Sequence, residues 1–283
     1  MVIKEQVWLV TGASSGLGKA LVEELIKQGY PVVATARNVN SLETLPQGSA
    51  DILKLSLDVT KSDEIIKAVQ KAEEYFGKID VLVNNAGYGY FGALEETEQN
   101  EAKKMMETNF WGANNMTLAV LPEMRKRRSG RIINVTSIGG LTTFPTFAYY
   151  HASKFAMEGL FQSLRQQVSP LGVHVTNVEP GSFRTEWAGR SHKGATNVIE
   201  DYELVHETRQ ISENRSGSQP GNPRLAAKAI VKLANMNKPP MHYILGGDAF
   251  DLAIEHYKKS ILELEKHRDD SIHQSFGDGN YWE

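Results

Sequence analysis

The chain has 283 residues, 41% hydrophobic and 23% charged, with a formal net charge of −3 and no cysteine. The length suits one large α/β domain with its own core, and the absence of cysteine excludes disulfide frameworks, thiolate metal sites and a cysteine nucleophile. The balance of 31 Lys and Arg against 34 Asp and Glu gives no argument for nucleic acid or an anionic membrane as partner, and no apolar run approaches the roughly 18 residues of a membrane span.

Met1–Gln6 leads straight into a strand-like stretch without an apolar leader, so an intracellular, cytoplasmic protein is expected. The first predicted strand, Val7–Val10, runs into Thr11-Gly12-Ala13-Ser14-Ser15-Gly16-Leu17-Gly18, which opens a helix reaching Gln28. Glycines in such a turn let backbone N–H groups approach a pyrophosphate, and a helix amino terminus favours its charge. A tight turn without a ligand is the alternative reading. The second strand, Val32–Thr35, is followed by Ala36-Arg37, where dinucleotide folds place an acid for the adenosine ribose. Arginine suits a 2′-phosphate instead, so the sequence predicts NADP(H) in preference to NAD(H).

Further along come a strand at Ile52–Leu57, a helix at Ser62–Phe76 and a strand at Val81–Asn84 that leads into Asn85-Ala86-Gly87. A long helix over Asn100–Lys126 carries Asn109, and the strand Arg131–Val135 is followed by Ser137. The next helix, Tyr150–Ser169, opens with Tyr150-His151-Ala152-Ser153-Lys154. The strand Val173–Val178, a helix at Leu225–Met236 and a strand at Tyr243–Leu245 complete the pattern. Near-continuous apolar strands alternating with helices predict a doubly wound (Rossmann-type) parallel sheet of about seven strands, with helices on both faces. Residues 1–247 read as one catalytic, dinucleotide-binding domain, interrupted by a polar stretch at about 186–223 that suits a substrate lid. Residues 248–283 read as a helical tail with Phe250, Ile254, Tyr257, Ile261 and Leu264 at helical spacing.

Tyr150 and Lys154 lie four apart, hence on one helix face, where they can bracket one small group. A neighbouring ammonium favours the phenolate and lowers a tyrosine pKa from about 10 toward working pH. Tyr150 is therefore a candidate general acid toward a ketone oxygen, or base toward an alcohol. Tyr149, five positions from Lys154, is turned off that face. Ser137 follows a strand's carboxyl end, the edge where open α/β sheets bind ligands.

Together TGASSGLG, NNAG, the helix asparagine in NFWG, Ser137, the Tyr150–Lys154 pair and Pro180-Gly181 resemble the short-chain dehydrogenase/reductase family. The resemblance is to its compact branch, nearest the hydroxysteroid-dehydrogenase-like and carbonyl-reductase group, and spans about residues 5–188. It implies that Gly12, Ser14, Ser15, Gly16 and Leu17 hold the pyrophosphate and adenosine side. Asp58 and Val59 would meet the adenine, and Asn85, Ala86 and Gly87 would line the adenosine and the central sheet. Tyr150 would be the acid/base, Ser137 its oxyanion partner, and Lys154 the residue that binds the nicotinamide ribose and lowers the tyrosine pKa. Asn109 would hold a water in a proton relay, while Pro180, Gly181, Phe183 and Thr185 would contact the nicotinamide end. A homodimer or homotetramer is implied, with a small-molecule carbonyl or alcohol as substrate.

Aromatic residues crowd the expected pocket: Tyr88, Tyr90 and Phe91, then Phe144 and Phe147, then Phe183 and Trp187. They suit a bulky hydrophobic ketone or secondary alcohol, although aromatic residues also dominate ordinary cores. A 3-oxoacyl-thioester reductase and a non-catalytic NADP-sensing protein remain as alternative functions. The basic run Arg125–Arg128 reads as a helix end. No histidine has a recognisable metal-ligand spacing, and no metal is expected.

Overall fold

The computed structural model describes residues 5–46, 51–185 and 192–272. The chain begins β1 (Trp8–Val10), α1 (Gly16–Gln28), β2 (Val32–Ala36), β3 (Ile52–Ser56), α2 (Ser62–Phe76), β4 (Val81–Asn84) and β5 (Gly89–Phe91). It continues α3 (Gln99–Met106), α4 (Gly112–Arg127), β6 (Gly130–Val135), α5 (Ala148–Val168) and β7 (Val173–Pro180). The remainder is β8 (His192–Gly194), α6 (Glu203–Asn214), α7 (Pro223–Ala234), β9 (His242–Leu245), α8 (Gly247–Lys266) and α9 (Arg268–Ile272).

Seven strands form one parallel sheet in the order β3-β2-β1-β4-β6-β7-β9, the doubly wound arrangement that the alternation predicts. β1, β2 and β4 are buried along their whole length, because helices cover both faces. On one face Leu21 and Leu25 of α1 and Ala227 and Ile230 of α7 pack against Trp8, Val10 and Val32. On the other, Ile65, Met116, Met157 and Phe161, from α2, α4 and α5, cover Leu9, Val33 and Ile132. Each such large side chain contributes about 1.5–3 kcal/mol through burial. α1 ends at Gly29, where φ is 79° and the N–H donates to the Ile26 carbonyl at 3.1 Å.

The chain leaves β1 for β2 and β3 on one side, then crosses to β4, β6, β7 and β9 on the other. The loops at the carboxyl ends of β1 and β4 therefore flank the point where the winding reverses, and a crevice opens there.

Two expectations are corrected. The single helix over Asn100–Lys126 is two α-helices joined by a π turn at Glu107–Trp111. The inserted turn follows no Gly or Pro of its own, so nothing in the helical pattern signals it, and such turns cluster at functional sites. Gly112 succeeds it because a Cβ there would come within 2.6 Å of Val59 Cγ2. The described part of the stretch expected as a lid, residues 192–223, also carries regular structure. β8 pairs in parallel with β5, Gly89 opposite His192 and Phe91 opposite Gly194, and α6 spans Glu203–Asn214.

In α8 the small residues Ala249 and Ala253 pack near Ile138 and Leu141, while Phe250, Ile254, Tyr257, Ile261 and Leu264 are exposed. Among the described residues, no helix is long and apolar enough to cross a membrane.

Candidate active site

The carboxyl ends of β1, β4, β6 and β7 open onto one cleft of about 1560 Å³. Its lining includes Gly12, Ser14, Ser15, Gly16 and Leu17 with Arg37, Asp58 and Val59. Asn85, Ala86, Gly87, Ser137, Tyr150, Lys154, Pro180, Gly181, Phe183 and Thr185 line it too, as do Tyr88, Phe144 and Phe147. Trp187 lies outside the described residues.

The glycine turn has the backbone of an anion cradle. Gly12 and Gly16 have φ of +66° and +55°, and a Cβ on Gly12 would stand 3.0 Å from Ala86 Cα. A Cβ on Gly16 would project toward Thr185 across the cleft, at 3.5 Å from its Cβ. The Ser15 side chain makes no capping bond and the first turn of α1 has no acid, so that end of the helix favours a bound anion. Asn85 supports the turn from behind, its Nδ2 donating to the carbonyls of Thr11 and Gly12 at 2.9 and 3.1 Å. Thr11, overlooked in the sequence, accepts the Asn85 and Ala86 N–H groups on Oγ1, each at 3.0 Å. These residues fit a dinucleotide.

Tyr150 is buried at the cleft floor and hydrogen-bonded with Ser137. Burial pushes its phenol up to about 12 against the downward pull of that bond. The expected lowering by Lys154 is therefore corrected. The Lys154 Nζ stands 5.8 Å from the Tyr150 ring centroid, and the phenol is raised by desolvation rather than lowered. Lys154 donates to the Val135 carbonyl at 2.9 Å, and burial pushes its ammonium down to about 8 against the favourable charge of Glu158.

Asn109 sits in the π turn, fully buried, and does not line the cleft. Its Oδ1 accepts the Tyr88 N–H at 3.0 Å, and its Nδ2 donates to the Tyr88 carbonyl at 2.9 Å and to Ser153 Oγ at 3.1 Å. Ser153 in turn donates to the Tyr150 carbonyl at 2.7 Å. The side-chain amide is thus committed to tying β5's approach to α5.

His151 has a part that the sequence does not reveal. Its Nδ1 faces the Gly139 carbonyl at 2.7 Å and its Nε2 the Phe144 N–H at 2.8 Å. These partners select the neutral ring with the proton on Nδ1, and burial holds its pKa below the usual histidine range. It staples the segment that follows Ser137 onto α5.

Of the aromatic residues expected at the pocket, Tyr90 and Phe91 are buried in its wall rather than facing the cleft. Phe91 stacks at 4.6 Å from Phe147, and Phe147 lies 6.1 Å from the Tyr150 ring. The structure also gathers Glu158, Glu179 and His242, a set separated by long stretches of sequence and invisible to spacing rules.

Residues 6–195 match the short chain dehydrogenase family, and the chain belongs to it. It is 35% identical to oxidoreductase BOA17 of Botryotinia fuckeliana over 88% of this chain and 91% of the relative. It is 38% identical to 3-ketodihydrosphingosine reductase of Bacteroides thetaiotaomicron, over 86% of this chain and 89% of that one. A crystal structure of a short-chain dehydrogenase from Streptomyces avermitilis superposes with a TM-score of 0.88 at 37% identity, covering 95% of this chain and 100% of that one. A metagenomic short-chain oxidoreductase in complex with NADP matches with a TM-score of 0.67 at 27% identity, covering 86% and 97%. The protein is an oxidoreductase of this family, on a Rossmann-type α/β fold.

Proposed function

We propose that the protein is an NADP(H)-dependent carbonyl reductase that acts on bulky hydrophobic ketones or aldehydes. The observation that carries this reading is one buried phenol, bonded to Ser137 and beside Lys154, between a glycine cradle and an aromatic wall. A bound nicotinamide supplies the hydride in reduction and accepts it in the reverse direction. Gly12, Ser14, Ser15, Gly16 and Leu17 hold the pyrophosphate side, Asp58, Val59, Asn85, Ala86 and Gly87 the adenosine side, and Pro180, Gly181, Phe183 and Thr185 the nicotinamide end. Arg37 receives the 2′-phosphate. The NADP complex of a structural relative supports the same choice.

Ser137 orients the substrate oxygen and Tyr150 gives it a proton as negative charge develops there. A phenol raised by burial keeps its proton near neutral pH, the state that donation to a carbonyl oxygen requires. Lys154 holds the nicotinamide ribose. Phe144, Phe147 and Tyr88 receive the hydrophobic part of the substrate. The stretch about 186–223 acts as lid, and its described part contributes Lys193, Thr208, Ile211 and Gln219 to the cleft. The name of one relative, a ketone reductase, agrees with this substrate class. Exposed Trp111, Leu118 and Phe155 support a homodimer or homotetramer through the α4 and α5 side.

A second reading, reduction of a 3-oxoacyl thioester, is favoured by the cations Lys61, Lys103, Lys104, Lys193 and Arg215 on the cleft lining. The deciding experiment follows NADPH absorbance over aryl and alicyclic ketones, small keto acids and acetoacetyl thioesters. The first reading predicts kcat/KM at least about tenfold higher for the hydrophobic ketones. Preference for keto acids contradicts it, and preference for thioesters selects the second reading.

A further inference from the structure

Asn84 on β4 stands opposite Asn134 on β6, Asn134 opposite Asn177 on β7, and Asn177 opposite His242 on β9. This register places three buried amides in a row across the sheet. Asn84 Nδ2 donates to Asn134 Oδ1 at 2.9 Å, and Asn134 Nδ2 to Asn177 Oδ1 at 3.0 Å. Asn177 Nδ2 then donates to Glu158 Oε2 at 2.6 Å. All the amides point the same way, and the row ends on a carboxylate. An ionised carboxylate only accepts, so a charged Glu158 fixes the direction of every amide behind it.

Glu158 is 3% exposed and sits on α5 four residues beyond Lys154, hence on the same helix face. From β9, His242 Nδ1 lies 3.5 Å from Glu158 Oε2 and 2.7 Å from Glu179 Oε1. Glu179, from β7, also accepts the Tyr243 N–H at 2.8 Å. Arg165 on α5 and Tyr257 on α8 complete the charged and titratable groups that sense this cluster. Among the described residues, Glu158 is the charge that favours the Lys154 ammonium.

We propose that Glu158 is a positioning residue for carbonyl reduction: its carboxylate, aimed by the asparagine row and by His242, keeps Lys154 charged and seated on the Val135 carbonyl. The proposal rests on the role given above to Lys154. Burial works against both charges, raising the Glu158 carboxyl and lowering the Lys154 ammonium to about 8. Hydrogen bonds with Thr136 and Asn177 oppose the first of these shifts, and the charge of a protonated His242 does the same.

The test compares pH profiles of kcat and of NADPH affinity in the wild type, Glu158→Gln and His242→Gln. Glu158→Gln keeps an acceptor for Asn177 and removes the charge. The wild-type reduction rate is expected to fall as pH rises through about 8, where Lys154 loses its proton. In Glu158→Gln that limb moves down by about one pH unit or more, with NADPH affinity weakening over the same range and kcat restored on acidification. His242→Gln, at a part-exposed position, removes one of the groups that lower the Glu158 carboxyl, and moves the limb the same way by less. If Glu158→Gln fails to fold, the His242→Gln profile decides. Profiles that superimpose on the wild type in folded variants overturn the proposal. Lys154→Ala separates the two readings: if it remains active, the role of Lys154 itself is refuted. If it is inactive while the Glu158→Gln profile stays unmoved, only the present proposal falls.

Discussion

Burial acts in opposite senses on the two ionisable groups at the cleft floor, raising the Tyr150 phenol to about 12 and lowering the Lys154 ammonium to about 8. Near neutral pH both therefore carry their protons, the states that proton delivery to a carbonyl oxygen requires. Each is held from behind: Tyr150 through Ser153 and Asn109, Lys154 through the Val135 carbonyl. Positions such as Ser137 and Arg37 were legible because each follows a strand end of the winding pattern, where chain order alone implies a shared edge. Glu158, Glu179 and His242 were not, since a meeting of α5, β7 and β9 leaves no local spacing to detect. Arg37 carries a prediction of its own. Arg37→Ala lowers the ratio of NADPH to NADH kcat/KM by about tenfold or more, as expected for loss of a charged phosphate contact. Steady-state kinetics with both cofactors measures it, and an unchanged ratio removes Arg37 from the 2′-phosphate site.

Amphipathic spacing made α1, α2 and α7 readable, and the αL glycines that end α1 and α2 are equally local properties. The β5–β8 pair was not readable. Two three-residue strands carry no alternation, and they come together only through contacts around them. Glu96 is the anchor of that region. It is 3% exposed and accepts the N–H groups of Ala93 and Ile199 at 3.0 and 2.8 Å, with His206 Nε2 at 2.6 Å from its carboxylate. Burial would raise this carboxyl, but the two backbone donors and His206 hold it below the usual range. A depressed carboxyl stabilises above its ordinary pKa and loses that contribution as pH falls through the folded value. The segment carrying Ile199 and His206 is thus fastened at neutral pH and loosens in acid. Glu96→Gln removes a charged acceptor worth about 1.5–3 kcal/mol and speeds local opening about tenfold or more. Hydrogen exchange at the Ile199 amide reads this directly, and unchanged protection means that Glu96 does not fasten this segment.

At the scale of the whole molecule, one parallel sheet brings residues from opposite ends of the catalytic region to a common edge. The β1 turn supplies the cradle, β4 its support, β6 the serine and α5 the phenol and ammonium. That layout followed from strand and helix alternation, which fixes the side on which each loop emerges. The two faces of α8, small residues inward and large apolar residues outward, needed the folded chain to be seen. The central claim is that this edge delivers a proton from Tyr150 to a carbonyl oxygen. It is tested most directly by measuring NADPH-dependent ketone reduction in Tyr150→Phe alongside NADPH binding by fluorescence. The account predicts turnover lowered by roughly 10³-fold or more, with NADPH affinity within about threefold of the wild type. Turnover retained with the cofactor bound would contradict it.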